Sequence, residues 1–263
     1  MKRTNFLFVF GIFTASLLSL AQPVNAAEID DREAMDILQN MARTITGAKQ
    51  FSVTISSSFD APQANGQMVE FGAVSKIQIE RPDKLRVDLQ RSDGDQRILV
   101  FDGQLIIAHD VTENVYAKVE QPGSIDDAIK HLVSDLKVPL PLARMFRTNF
   151  PAELERLVEE VEYVEQNILT DVPTDHLAVR SKDVDFQIWI ARGKEPLPRR
   201  IVITYKNARG EPQYRADLSD WNLSTKAPKG AFVFTPPSDA EQVPLLVRNP
   251  AEAGIPSREG GTQ

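Results

Sequence analysis

Arg81 is the residue whose type and position in this sequence most directly indicate chemistry. It follows an alternating segment in which Ile77, Ile79 and Arg81 share one face of a strand. A sheet that buries this face carries a guanidinium into apolar surroundings, where an unpaired charge is very costly. Arg81 therefore either reaches water past Pro82 with its long stem, or donates its N–H groups to the unpaired carbonyls at helix C-terminal ends.

Patterns of the common catalytic and metal sites are missing from the sequence. The three histidines, His109, His131 and His176, lie far apart, and none has a second histidine or a carboxylate pair at metal-ligand spacing. Neither a G-x-S-x-G nucleophile elbow nor a glycine-rich nucleotide-binding loop is present. We therefore expect no catalytic residue, no metal and no cofactor. An esterase with a serine beside one of these histidines stays open as an alternative.

The amino-terminal residues have the pattern of a secretory leader. Lys2 and Arg3 precede an apolar run from Phe6 to Leu20, and Val24-Asn25-Ala26 offers small residues to a signal peptidase. This run is shorter than the roughly twenty residues that a membrane-spanning helix needs, although an uncleaved anchor is the alternative. We predict that residues 1–26 are a signal peptide, cleaved near Ala26, and that the protein is exported to the periplasm.

The amino-acid composition limits which classes of partner the protein is expected to bind. The chain has 263 residues, no cysteine and a formal net charge of −7. Without cysteine it has neither a disulfide nor a lipid-modified amino-terminal cysteine. Net acidity without a basic run argues against nucleic acid or an anionic membrane surface as the main partner. We expect a soluble exported monomer with one domain's worth of chain.

Hydrophobic periodicity predicts one leading helix followed by many strands. Met35, Leu38, Ala42 and Ile45 form a helical stripe between the acidic start at Asp30 and the end at Gly47. Alternation and turn residues then predict about eleven strands. These are Phe51 to Phe59, Met68 to Arg81, Leu85 to Gln90, Arg97 to Phe101, Leu105 to His109, Val115 to Val119, Leu177 to Arg180, Val184 to Ala191, Arg199 to Tyr205, Pro212 to Trp221 and Phe232 to Phe234.

Between the two groups of strands, the apolar residues take the spacing of a helix. Ser124 is a good N-cap with Asp127 three residues later, and an apolar stripe follows until Pro139 and Pro141 end it. A short second helix is predicted from Leu142 to Phe146. A third is predicted to begin at Pro151, with one face formed by Leu154, Leu157, Val158 and Val161.

The large apolar side chains of this middle segment allow two interpretations. Leu140, Leu142, Met145 and Phe146 either plug the sheet permanently or form a lid that moves. Short helices limited by prolines have little stability of their own, so their docking depends on what lies beneath them. Methionine adds adaptability where varied apolar ligands bind.

This order of elements favours an α+β fold. We predict a single strongly curved antiparallel sheet, an unclosed half-barrel, with helices covering its concave face. The domain is expected over residues 27–240, and proline, glycine and charge predict a loosely ordered carboxy-terminal tail over residues 241–263.

Three short motifs give the chain a resemblance to a known family. They are Glu80-Arg81-Pro82-Asp83-Lys84-Leu85-Arg86, Phe101-Asp102-Gly103-Gln104-Leu105 and Phe232-Val233-Phe234-Thr235-Pro236-Pro237. With these motifs the chain resembles the periplasmic lipoprotein-carrier superfamily (LolA, LolB and LppX), and most closely an uncharacterised exported family of that fold. The resemblance covers nearly the whole of the chain after the leader.

The resemblance implies an apolar cavity for acyl chains under helices. It implies that the arginine before the proline, Arg81, holds a helical lid shut through backbone carbonyls. Two departures are visible: the aromatic position that faces the cavity falls on Leu85, and the insertion from Ser124 to Asn167 is longer.

From these observations we predict a periplasmic binding or carrier protein for a lipid, a lipoprotein acyl chain or another amphiphile. Its partners would be this lipid or acylated protein and an envelope membrane protein or lipoprotein. The ligand cavity is predicted to be lined by Ile77, Ile79, Leu85, Val87, Phe101, Phe186 and Ile188 of the strands and by Met145 and Phe146 of the lid. An envelope-sensing regulatory or interaction protein with the same fold is the alternative function.

Overall fold

The first element of the computed structural model, which describes residues 29–169, 171–224 and 226–245, is the predicted amphipathic helix. This helix, α1, covers Asp31–Gly47 and begins at Asp30, whose side chain accepts a hydrogen bond from the Glu33 N–H at 2.8 Å. Such an N-cap satisfies a backbone donor that the first turn leaves free. The predicted signal peptide and residues 246–263 of the predicted tail lie outside the described residues.

Twelve strands build one continuous sheet. They are β1 (Gln50–Pro62), β2 (Met68–Glu80), β3 (Lys84–Arg91), β4 (Gln96–Phe101), β5 (Leu105–Asp110), β6 (Val115–Glu120), β7 (Val158–Asn167), β8 (Thr174–Ser181), β9 (Val184–Ala191), β10 (Pro198–Tyr205), β11 (Gln213–Asn222) and β12 (Glu241–Gln242).

The strand order is β12-β6-β5-β4-β3-β2-β1-β11-β10-β9-β8-β7. Strands β1 to β6 form a meander that runs outward from the centre, and β7 to β11 form one that runs inward from the other edge, so that β1 pairs with both β2 and β11. Every pairing is antiparallel except the short one between β12 and β6. Since β7 and β12 form the two edges, the sheet does not close, and the predicted α+β half-barrel is confirmed.

A helical insertion, residues 124–157, connects β6 to β7. It consists of α2 (Ile125–Lys130), a π-helical turn (His131–Asp135), a 3-10 helix (Ala143–Phe146) and α3 (Phe150–Leu157). Ser124 and Asp127 form the predicted capping box, in which each side chain bonds the other residue's backbone N–H. None of the described helices is long and apolar enough to cross a membrane.

The predicted third helix is wrong beyond Leu157. Val158, which was placed on its apolar face, ends α3, and the chain continues as β7 with Val161 paired to Val179 of β8. The spacing of three residues between these valines fits a helix and not the regular alternation of a strand, and an irregularity in the pairing between Val158 and Glu160 lets both valines pack against the core from β7. Pairing with β8 decides in favour of the strand, because β-branched residues pack well on a half-buried sheet and the intervening glutamates are exposed there.

The carboxy-terminal part also differs from the prediction. Phe232 to Phe234 is not a strand: this segment is irregular and crosses the outer face of the sheet. The segment expected to be a loose tail instead contributes β12, and the Val243 N–H donates to Tyr116 O at 2.9 Å. Hydrogen bonding to β6 therefore holds the chain in place as far as Val243.

The concave face of the sheet and the helices enclose the core. On the central strand β1, Phe51, Val53 and Ile55 all point into it and are buried. The inner face of α1 is fully buried against the sheet at Leu38 and Ile45. At roughly 25 cal/mol per Å² of buried apolar area, this packing is the main term that holds the helices on the sheet.

Candidate functional site

Arg81 lies in the tight connection between β2 and β3, and its side chain turns toward helix ends. Nη2 donates to the carbonyl oxygen of Phe146, the last residue of the 3-10 helix, at 2.8 Å. Nε donates to the carbonyl of Ala48, the C-cap of α1, at 3.2 Å. One guanidinium thus joins the end of α1 to the end of a helix in the insertion. This is the buried-donor arrangement and not a side chain that extends to water past Pro82.

The electrostatic environment of Arg81 is that of a desolvated cation. Burial lowers the pKa of Arg81 below its ordinary value, whereas the negative charge of Asp126 in α2 acts in the opposite direction. An arginine stays charged despite such a shift. Its partners are carbonyls with partial negative charge, as expected at helix C-terminal ends.

The rest of the turn that carries Arg81 contacts two further segments. Pro82 O accepts a hydrogen bond from the N–H of Ile125, the first residue of α2, at 2.8 Å. The Lys84 ammonium donates to the Asp102 carbonyl in the turn between β4 and β5. The first two motifs of the family resemblance therefore lie side by side, at the point where α1, α2 and the 3-10 helix meet.

Gly103 makes the close contact of these two turns possible. Its φ is +90°, and a Cβ at this position would lie 2.5 Å from Oδ2 of Asp83. Glycine alone has both the freedom for this backbone conformation and the space for the carboxylate. Gly103, the glycine of the second motif, therefore allows the two turns to pack closely.

Further hydrogen bonds attach the insertion to α1 and close it on itself. Gln39 of α1 donates through Nε2 to Pro151 O at 3.0 Å. The buried carboxylate of Glu153 accepts from Arg147 Nη1 at 2.7 Å, and Asp126 accepts from the Thr148 N–H at 3.0 Å. Because these bonds join neighbouring parts of the insertion, its pieces are expected to move together.

The residues predicted to line a ligand cavity are brought together on the concave side. The fully buried members are Ile77, Ile79, Leu85, Phe101, Ile188, Met145 and Phe146, and Val87 and Phe186 pack against them half-buried. Leu85 pairs with both Ile79 and Phe101 across neighbouring strands. In this structure the group belongs to the packed core, with α1 and the insertion covering it.

An aromatic contact joins the insertion to the floor of the sheet. The ring of Phe146 lies 5.7 Å from that of Phe51 on β1, and Phe51 lies 5.7 Å from the ring of Trp221 on β11. The residue whose carbonyl binds Arg81 therefore also carries the ring that contacts the sheet.

The third motif lies on the opposite, outer face. The Ala231 carbonyl next to it accepts from Arg86 Nη1 at 3.2 Å, and the Phe234 ring lies 5.0 Å from the ring of His109. The buried ring nitrogens of His109 have no hydrogen-bond partner among the described residues. This motif therefore covers the outside of the sheet and does not contribute to the concave site.

The other two histidines form no serine pair. His131 bonds Asp135 through Nδ1 at 2.9 Å. His176 is stacked on Trp189, with 4.0 Å between ring centroids, and Nε2 lies 3.1 Å from Gln187 Oε1. Burial lowers the pKa of His176 below its ordinary value, so the ring is neutral near neutral pH. Within the described ranges no histidine hydrogen-bonds to a serine, and no cluster of three or more potential ligands is placed to hold a metal.

Comparison with known proteins identifies a family. The model of a family described as "Predicted periplasmic protein (DUF2092)" matches residues 34–246. No curated protein matches the chain. The match confirms the predicted resemblance to an exported family of unknown function.

Solved structures with a similar course of the chain share little sequence with it. An uncharacterized conserved protein from Thermus thermophilus is 11% identical, with a TM-score of 0.47 over 80% of this chain and 98% of that one. The lipoprotein LppX from Mycobacterium tuberculosis is 12% identical, with a TM-score of 0.46 over 75% and 99%. A LolA superfamily protein from Nitrosomonas europaea is 12% identical, with a TM-score of 0.39 over 76% and 97%.

Proposed function

The chain belongs to the DUF2092 family of predicted periplasmic proteins, and we propose that it binds and carries a lipid, a lipoprotein acyl chain or another amphiphile. The apolar part of the ligand would occupy the concave face of the half-barrel. The helical insertion acts as the lid, and Arg81 is its latch. Cleavage of residues 1–26 on export is part of this proposal.

The observation that carries the proposal is the pair of hydrogen bonds from Arg81 to Ala48 and Phe146. Arg81 is partly buried, and an apolar side chain would fill its place at a lower desolvation cost if the helices were packed on the sheet permanently. A cation that binds two helix ends by carbonyls alone gives a contact that can break and re-form. When it breaks, both ends are free to move from the sheet.

The energies of the closed and loaded states are of similar size. A hydrogen bond to a charged group contributes about 1.5–3 kcal/mol, so loss of the two Arg81 bonds costs several kcal/mol at most. Each buried CH₂ of a ligand contributes about 0.8 kcal/mol. An alkyl chain of ordinary lipid length therefore offsets the loss of the latch and of the Phe146 contact. This balance favours a lid that opens for a chain and closes without one.

The two tryptophans offer a direct test of where an acyl chain binds. Trp221 lies next to Phe51 in the core, whereas Trp189 is stacked on His176 on the outer face. In a Trp189→Phe protein, a fatty acid brominated along its chain should quench Trp221 fluorescence saturably. The matched Trp221→Phe protein, which keeps only Trp189, should show little quenching.

Equal quenching of both proteins, or none that saturates, would contradict binding in the concave face. Organic extraction of the native protein followed by mass spectrometry gives an independent check. The proposal expects a bound amphiphile in the extract.

One feature favours the alternative, an interaction protein. The edge strand β7 has ten residues and pairs only with β8 within the described ranges, and its Val164 and its four glutamates, Glu159, Glu160, Glu162 and Glu165, are exposed. A free strand edge can pair with an extended partner segment, here a basic one. Absence of lipid from the extract and of saturable quenching would leave this alternative as the better explanation.

A further inference from the structure

A cavity of about 320 Å³ opens at one rim of the half-barrel, between the first half of α1 and the ends of β8 and β9. We call it the rim pocket. Its apolar side is formed by Ile29, Ile37 and Ile190, and its polar side includes Glu33, Asp175 and Arg192. Clefts in which apolar walls meet a few convergent polar groups commonly bind small molecules; the rim pocket is about as polar as it is apolar, and its volume is at the lower end of that range.

One wall of the rim pocket, formed by Ile190, belongs to the concave face of the sheet. Ile190 and Ile188 lie two residues apart on β9 and so share one face, and they pair with Asp175 and Leu177 of β8. Ile188 belongs to the core group predicted to contact a ligand. An apolar chain that enters at Ile190 therefore follows the same face of the sheet under α1.

The same helix connects the rim pocket to the latch. Asn40 is the last residue of α1 that lines the pocket, and the Ala48 carbonyl bound by Arg81 lies eight residues later. At 1.5 Å per residue this is about 12 Å along the helix axis. A chain that extends from the pocket under α1 would thus reach the region that Arg81 holds.

Side chains of both charge signs lie at the mouth of the rim pocket. Asp175 is 9% exposed and accepts a hydrogen bond from the Tyr163 hydroxyl at 3.2 Å, and Arg192 Nε lies 3.4 Å from its Oδ1. The Arg192 side chain is nearly half exposed; its Nε faces Asp175 and its Nη1 donates to Gln166 Oε1, so Nη2 is the nitrogen left for a ligand. Glu33, on the opposite wall, is an exposed carboxylate. A head group that carries both an anion and a cation matches this arrangement.

We propose that the rim pocket is the entry site of the carrier, where a single-chain amphiphile with a zwitterionic phosphate–ammonium head first binds. Its phosphate pairs with Arg192, its ammonium faces Glu33, and its chain runs past Ile190 beneath α1. The inference rests on the proposed function and adds the class of head group and the route of entry.

The test uses dodecylphosphocholine below its micelle concentration, with calorimetry as the measurement. Ile37→Trp fills the pocket from a half-exposed helix position and should weaken binding at least tenfold. Arg192→Glu should weaken the binding of dodecylphosphocholine to a similar extent. The affinity for dodecyltrimethylammonium, which has no phosphate, should stay the same or increase. Thr204→Trp, in a separate cavity of about 220 Å³ between β7 and β10, is the matched control and should bind as the unmodified protein does.

The outcomes separate the two proposals. If the alkyl probes bind but neither Ile37→Trp nor Arg192→Glu changes the affinity, the rim pocket is not the entry site and the carrier function stands. If dodecyl maltoside binds as tightly as dodecylphosphocholine, the proposed preference for a zwitterionic head group is wrong. If no alkyl probe binds the unmodified protein, the carrier function itself is wrong. Circular dichroism melting of each variant verifies that it is folded.

Discussion

At the residue scale, Arg81 is partly buried and donates its hydrogen bonds to helix carbonyls and not to a carboxylate. A buried ion pair is difficult to open, because removal of one partner leaves the other charge uncompensated. Helix carbonyls are weaker acceptors that water can replace when the helices move. The choice of partners therefore suits a contact that must break repeatedly.

Gly103 is the second residue on which the junction depends, and it allows a prediction about stability. Gly103→Ala should destabilise the protein more than Gly94→Ala, by about 1–2 kcal/mol, in urea unfolding. Both glycines have positive φ, of +90° and +96°, so both variants carry the same backbone cost. Only at position 103 does the new Cβ meet Asp83, since nothing lies within 4 Å of a Cβ at Gly94.

Equal losses of unfolding free energy in the two variants would contradict this account of Gly103. They would mean that the turn between β2 and β3 moves aside without cost. In that case the close fit of the first two motifs contributes little to holding the turn that carries Arg81.

At the scale of elements, the insertion is built from pieces too short to be stable alone. Its α-helices have six and eight residues and its 3-10 helix has four. Isolated helices of this length are marginal in water. Their order therefore depends on capping, on contact with α1 and on the Phe146 contact with the sheet.

The capping box of α2 gives a prediction at this scale. Ser124→Ala removes the side chain that caps Asp127 N–H and should cost about 1 kcal/mol of local stability. Amide hydrogen exchange should become roughly fivefold faster in α2 and in the 3-10 helix, because the pieces are hydrogen-bonded to each other. Ser92→Ala is the control: Ser92 also accepts a backbone hydrogen bond, from Gly72 N–H, but within the sheet. Faster exchange confined to the first turn of α2 would show that the pieces move independently.

Element type was predictable where the period was unambiguous. Strict alternation placed β3, β4 and β9 to within about a residue, and the stripe of α1 placed its end at Gly47. The spacing of Val158 and Val161 favours a helix, and the irregular pairing with β8 between Val158 and Glu160, which makes this spacing compatible with a strand, has no signal in the sequence. Phe232 to Phe234 alternates like a strand but packs across the outer face without a partner strand.

The candidate site was predictable in its chemistry but not in its contacts. The position of Arg81 allowed two arrangements, a side chain that reaches water past Pro82 or a donor to helix carbonyls, and the structure shows the second. Its partners Ala48 and Phe146 lie 33 and 65 residues away in sequence, so only the folded chain identifies them. The rim pocket has no signal in the sequence at all, because it arises from the way α1 lies across the ends of β8 and β9.

At the scale of the whole molecule, the two faces of the sheet are covered by different kinds of structure, and so are its two edges. The outer face of β3 to β6 is covered by the irregular segment around Phe234, and β12 pairs with β6 at one edge. The concave face is covered only by helices, which are held by side-chain packing and by Arg81. The outer face is thus covered by an irregular segment and the concave face by helices, so the proposed movement of the lid would open the concave side alone.

Hydrogen exchange of the insertion in an Arg81→Leu protein tests the gated lid most directly. We expect residues 143–157 to exchange roughly tenfold to a hundredfold faster than in the unmodified protein, since loss of hydrogen bonds to a charged group is worth about 1.5–3 kcal/mol. Saturation of the unmodified protein with an acyl probe should raise exchange in the same residues. Arg86→Leu, which removes an arginine that binds the Ala231 carbonyl on the outer face, should leave them unchanged. Unaltered protection of residues 143–157 both in Arg81→Leu and with the probe would contradict a lid that Arg81 holds shut.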